Sequence, residues 1–367
     1  MDGAFKLKHD NPKAKANFLS KLFFTWTIPI FYLGTKRKIQ LTDMYKTLNE
    51  NKSEGLGYDL ESNWNKEVQR AKGSKPSLLR ALFKTFFWSY MIYGLLIFIQ
   101  YVPLRSPQPV VLAQLIRGFS DPNLSDTTAL YISASILIAI SIVTIFLNHH
   151  SMYGLSIIGM RVRVAISSLI YRKIMKLNKR SQGQTAGGQI INLLSNDVQR
   201  IDQIALFLHF LWIMPIQVVV VGYLMWSLIG VYCLVGIGTM IIVTIPLQTY
   251  LGKVTSQLRF KVAGRCDDRV KHMSEIVSGI QVIKMYSWEK PFEALIKYLR
   301  GREISSLTKA SYLRGFYSSC NVFIERLTLF TTVIAYVMVG NRITADIVFS
   351  MAQFFNILQF KKRHNVV

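Results

Sequence analysis

Glu325 and Arg326 stand side by side within a run of apolar residues. An ionised side chain in a hydrocarbon setting is costly, so such residues pair or line a polar pathway. Neighbours on a helix point about 100° apart, so the two cannot both face lipid comfortably. Arg314 opens the same run, and His209 lies between Phe207, Phe210 and Trp212 in another. His149 and His150 close a third run and read as interfacial residues. Two uses stay open for this set. One is a partly cationic, aromatic cavity between helices, fitted to an amphipathic or anionic molecule. The other is structural pairing between helices, for example of Glu325 with a neighbouring Arg or His.

Covalent catalysis has no candidate. The chain holds no G-x-x-x-x-G-K-[ST] phosphate loop, no H-E-x-x-H, no C-x-x-C and no G-x-S-x-G. Gly236-Ile237-Gly238 sits inside an apolar run, where small residues favour close helix packing rather than dinucleotide binding. Cys233, Cys266 and Cys320 are too dispersed for a metal site or a disulfide framework, and read as reduced packing thiols.

The elements that carry these residues are membrane spans. The chain has 367 residues, 51% of them hydrophobic, and a helix crosses the hydrocarbon layer in roughly 20 residues. Six stretches approach that length, near residues 86–104, 129–150, 204–229, 231–252, 315–340 and 344–360, the last weaker and shorter. Gly230 alone separates the third from the fourth, which predicts a tight helical hairpin. The fold class is therefore an all-α membrane protein with five full transmembrane helices and an incomplete sixth.

The net charge of +24 could suggest nucleic acid, but its distribution excludes that partner. Lys and Arg crowd into three blocks: the region up to Lys84, Arg161–Arg200 and Lys253–Arg314. The intervening loops hold only Arg105 and Arg117, then none, then Arg342. This alternation is the positive-inside pattern and puts the N-terminus and both long basic loops in the cytosol. The mixed, basic N-terminus is not a cleavable signal peptide.

Residues 1–75 form an N-terminal region, 76–358 the membrane domain and 359–367 a divergent tail. Within the first, residues 17–34 are apolar and aromatic, and predict an interfacial segment broken at Pro29. Lys36–Gly73 reads as a polar linker broken by Gly55 and Gly57, and Pro76 opens a helix leading into the first span. The basic loops carry helical periodicity of their own. Leu155–Leu177 would extend roughly 35 Å past the membrane, ending at Gly183, Gly187 and Gly188. A short helix Gln189–Leu194 follows, with Ser195 or Asn196 as N-cap of the return helix. Lys253–Lys284 continues the fourth span, Glu289-Lys290-Pro291 marks a break, and Phe292–Thr308 returns.

Asn192-Leu193-Leu194-Ser195-Asn196-Asp197-Val198, followed by Asp202-Gln203 and Phe207-Leu208-His209-Phe210-Leu211-Trp212, resembles the first transmembrane domain of the multidrug-resistance-associated proteins. These are the C subfamily of ATP-binding cassette (ABC) transporters. Ile280-Gln281-Val282-Ile283-Lys284-Met285-Tyr286-Ser287-Trp288-Glu289-Lys290 looks like the second cytosolic loop of that family. Phe24-Thr25-Trp26 through Pro29-Ile30-Phe31, Gly34 and Asp43-Met44-Tyr45 look like its N-terminal lasso.

The resemblance implies a type-1 ABC exporter domain with long cytosolic helical extensions, in the plasma membrane. Gln189, Asn192, Ser195 and Asn196 would dock on a first nucleotide-binding domain, and Asp268, Lys271, Ser274 and Glu275 on a second. ATP and Mg would act through those domains and not on this chain. Phe207, His209, Phe210, Trp212, Arg314, Asn321 and Arg326 would line a cavity for amphipathic organic anions, conjugates or drugs. Asn321 departs from an aromatic family position. Thr185-Ala186-Gly187-Gly188-Gln189 imitates the cassette signature L-S-G-G-Q, but with no phosphate loop before it, and reads as a glycine turn. The family pattern holds through Leu358 and is lost from Gln359 onward, which reads as a truncated gene model or intron read-through. The rival functions are a short isoform that pairs with or regulates a full-length transporter, and a channel or secondary carrier.

Overall fold

The computed structural model describes residues 9–72, 74–120, 127–176, 194 and 198–358. Among them the chain is helical, with one isolated bridge between His9 and Tyr45 and no strand. It divides into two compact units, residues 1–108 with 128–220, and residues 109–127 with 221–367.

The first unit begins with α1 (Phe18–Leu22) and α2 (Ile28–Lys36). Pro29 does not break a helix here. It occupies the first turn of α2, where its missing N–H has no intrahelical partner to lose. The expected linker is also helical: α3 runs Ser53–Ala71, straight through Gly55 and Gly57. Gly57 is a close-packing residue, because a Cβ there would lie 2.3 Å from Ser168 Oγ. Glu61 of α3 takes Arg172 at 2.8 Å and Lys176 at 3.0 Å, and these hydrogen bonds hold its carboxyl below the usual range.

α4 (Leu78–Ile99) passes into a π-turn at Gln100–Leu104 containing Pro103. Proline has no N–H to give the ladder, which favours such a local re-registration. α6 (Thr127–Met175) is continuous for 49 residues, about 74 Å of helix against the ~30 Å of a bilayer core. The sequence-predicted extension beyond Leu155 is thus helical as far as Met175. α7 (Arg200–Phe207) and the start of α8 (Phe210–Ile229) complete the unit. One core gathers Leu60, Ala81, Phe86, Ala165, Ile166 and Val198. A second gathers Ile97, Val102, Leu155, Phe210 and Ile213.

The second unit contains most of α5 (Gln108–Ser120), the remainder of α8, α9 (Cys233–Ser278), α10 (Ile280–Met285), α11 (Glu289–Met338) and α12 (Ala345–Leu358). Gly230, at φ 63°, opens a 3-10 turn through Tyr232 between α8 and α9. That left-handed conformation is cheap only for glycine. α9 and α11 pack along each other, and the core joins Val221, Met225 and Cys233 to Met351, Phe354 and Phe355. Gly236 admits Thr332 and Phe355, each within 2.5 Å of where a Cβ would be.

Four helical runs, Leu78–Ser120, Thr127–Met175, Arg200–Ser278 and Glu289–Met338, contain a window apolar enough to cross a membrane, and α12 is a shorter apolar helix. At most 18% of any such window is buried within the chain. Apolar surface left uncovered on that scale requires lipid, or further helices, around it.

Candidate functional site

The aromatic cluster around His209 forms where α7 gives way to α8. His209 is 1% exposed. Trp212 donates its indole N–H to Nδ1 at 3.2 Å, and an indole nitrogen can only donate. Nδ1 is therefore the acceptor and Nε2 carries the proton, which it gives to the Tyr90 carbonyl at 3.1 Å. The ring stacks on Tyr90 at 3.9 Å and 18°. It fits only because position 94 is glycine, whose Cβ would lie 2.4 Å from the ring. Tyr90 in turn donates to the Ala205 carbonyl at 2.8 Å. Phe210 is buried edge-on against Tyr101 at 5.2 Å. His209 and Phe210 thus fasten α8 to α4, while Phe207 and Trp212 keep 43% and 37% of their surface exposed. The last two are the residues of this set with surface left for a ligand.

The cationic candidates lie on α11, in the other unit. Arg314 and Arg326 are exposed and Glu325 is half-buried. None of the three forms an ion pair among the described residues. The register of α11 sets positions 314, 321 and 325 on one stripe, with position 326 about 120° from position 314. The two arginines therefore address different sides of the helix, and the side chain of Asn321 lies outside the described ones.

Gln189, Asn192, Ser195 and Asn196 lie outside the described residues, as does the glycine turn Thr185–Gln189. Asp268, Lys271, Ser274 and Glu275 are exposed along α9, spaced so that they share one face. α9 then stops at Gly279, whose N–H reaches the Glu275 carbonyl at 2.9 Å. The turn after α10 falls at Tyr286–Trp288, just before the expected Glu289-Lys290-Pro291. Ser287 there has φ 53°, and Tyr286 and Trp288 stack at 5.2 Å. Pro291 instead sits in the first turn of α11, as Pro29 does in α2. Ile280, Val282 and Met285 are exposed, Met285 by 81%, so the tip of the hairpin is an apolar, aromatic surface.

Further ion pairs escaped the sequence reading. Glu303 of α11, 5% exposed at its side chain, takes Arg269 of α9 and Arg300, each at 2.7 Å. Those hydrogen bonds push its carboxyl down to about 2. Arg265 adds bonds to Ser306 and the Arg302 carbonyl, so a charged clamp holds the two long helices together. Arg117 of α5 pairs with Asp346 at the head of α12. Its signal was visible: Arg117 is one of the few charges in a basic-poor loop.

ATP and Mg do not fit the described residues. No glycine-rich loop there opens a helix carrying Lys and a hydroxyl, and no three His, Cys, Asp or Glu side chains converge as metal ligands.

Residues 86–361 match the family of ABC transporter transmembrane regions. ATP-binding cassette sub-family C member 4 of Mus musculus is 41% identical over 344 residues, which cover 92% of this chain and 26% of that protein. The Homo sapiens protein of the same name is 41% identical over the same extent. The Drosophila melanogaster protein named "Probable multidrug resistance-associated protein lethal(2)03659" is 37% identical over 354 residues, 96% of this chain and 26% of its own length. The chain thus spans about a quarter of the length of these relatives. A helical chain with spans continued far beyond a bilayer's thickness, matched to this family over most of its length, belongs to the ABC transporter transmembrane regions and has the fold of a type-1 exporter membrane domain.

Proposed function

We propose that the chain is the substrate-translocating membrane domain of an ATP-driven exporter of amphipathic organic anions, conjugates or drugs. Residues 1–75 serve it as a lasso and 76–358 as the membrane domain, with the N-terminus and both long hairpins in the cytosol, at the plasma membrane. The carrying observation is α11. One unbroken helix of 50 residues bears the cationic positions Arg314 and Arg326, the clamp at Glu303 and, at its start, the exposed aromatic tip. A nucleotide-binding domain seated on Met285, Tyr286 and Trp288, beside Asp268, Lys271, Ser274 and Glu275, would pass its closure along α11 to the cavity. The segment Gln189–Asn196 would seat the other nucleotide-binding domain, and ATP with Mg would be held there rather than on this chain. Arg314, Glu325 and Arg326, unpaired within the described chain, suit a cavity completed by a second membrane domain.

The test is ATP-dependent uptake into inside-out vesicles, with the chain assembled with its nucleotide-binding and second membrane domains. Arg314→Ala and Arg326→Ala should each raise KM for an anionic substrate about tenfold, the scale of one desolvated charge contact, and leave a neutral drug within about twofold. Equal losses for both substrates, or none, would sink the anion assignment. The purified chain by itself should hydrolyse no ATP.

A further inference from the structure

A cavity lies between the N-terminal segment and α6. It measures about 560 Å³ and is lined by Leu22, Phe23, Phe24, Ile145, Phe146 and Met152, with His149, Tyr153 and Ser156 at its polar side. That volume lies in the range of small-molecule sites, roughly 300–1,000 Å³. The apolar lining continues into open surface: Phe23 is 58% and Ile145 57% exposed, and Phe18 and Leu19 beside them 77% and 66%.

The segment is held there deliberately. Phe24 adopts φ 54°, a left-handed conformation that a bulky residue rarely takes. It stacks on His150 at 4.7 Å and meets Tyr153 edge-on at 5.5 Å, while His150 Nε2 bonds the Leu22 carbonyl at 3.0 Å. A cation stands against the polar side. Lys13 reaches the Tyr153 hydroxyl at 3.2 Å and lies 4.8 Å over its ring, Lys15 and Lys21 are exposed on the same segment, and no acidic residue lines the cavity.

Depth decides the occupant. The lining residues of α6, Ile145 to Ser156, straddle the end of its apolar stretch, where the basic run starting at Arg161 begins. An apolar trough that opens sideways, with cations at one end and at the level where a span leaves hydrocarbon, has the polarity of a phospholipid. We propose that this cavity binds one anionic phospholipid from the leaflet on the side of the basic hairpins, the inner leaflet in the orientation proposed above, with an acyl chain along Phe23, Ile145 and Phe146 and the headgroup against Lys13, Lys21 and His149. Cations near an anionic leaflet are worth about 1 kcal/mol each, which is about fivefold in occupancy per lysine.

Native mass spectrometry of the purified full chain in detergent tests this, with dioleoylphosphatidylserine, dioleoylphosphatidylcholine and inorganic phosphate as probes. Phosphatidylserine should be retained about fivefold or more over phosphatidylcholine, and excess phosphate should not displace it. Lys21→Gln, at an exposed site that leaves the fold intact, should cut the preference several-fold, and Lys13→Gln with Lys21→Gln should bring it to parity. Ile145→Trp, which fills the trough, should reduce both lipids, and Lys297→Gln should change nothing. Equal retention of the two lipids, a preference that survives the double lysine variant, or displacement by phosphate alone would overturn the proposal.

Discussion

His209 shows how far a residue's type can mislead about its work. A histidine among aromatics in an apolar run suggests a ligand contact, yet both ring nitrogens are used within the chain, by Trp212 and the Tyr90 carbonyl. The deciding residue, Gly94, lies 115 positions away and has no chemistry of its own. Gly94→Ala should displace the ring and destabilise the protein by about 1–3 kcal/mol, read as a lowered unfolding midpoint in detergent. Glu303 offers a second test at this scale. Its folded carboxyl sits near 2 against an ordinary 4.5, so its contribution is complete above about pH 4.5 and lost as pH falls through about 2. The spacing between spin labels on α9 and α11 should be constant from pH 5 to 8 and widen below pH 4.5, and Glu303→Gln should abolish that acid dependence. Neither site was legible in the sequence, because each depends on which residue of a distant helix lies opposite. Charge and apolarity are local properties of a sequence; opposition is not.

Among the elements, those that answer to lipid were the easiest to read. Long apolar runs announce spans because lipid imposes the same demand on every residue of the window, and the continuation of α6 and α9 past the apolar run was equally plain in its periodicity. Glycine and proline were misread for one reason. Their effect depends on position within a helix and on neighbours, so Pro29 in a first turn starts α2, and Gly57 in α3 makes room for Ser168. Gly57→Ala should therefore act opposite to helix propensity, which favours alanine by about 1 kcal/mol. The 2.3 Å approach to Ser168 should prevail and loosen α3 from α6, seen as faster amide exchange across Ser53–Ala71, whereas Gly55→Ala, with open space around it, should slow exchange there.

Seen whole, the molecule combines surfaces of three kinds: apolar windows uncovered by its own helices, charged clamps along the hairpin of α9 and α11, and an aromatic tip at its end. If the tip is the seat of a nucleotide-binding domain, Trp288→Ala should lower substrate-stimulated ATPase of the assembled transporter about tenfold, as loss of a central aromatic anchor does, while leaving substrate affinity unchanged in a binding assay. The unbroken run of α11 sets the mechanics of such a device. A helix of about 75 Å that tilted as one body by about 5° around its middle would carry its two ends about 3 Å in opposite directions. Such a lever would have arms of nearly equal length on either side of Arg314, the midpoint of α11, so a push at Trp288 would arrive near Met338 reversed in sense.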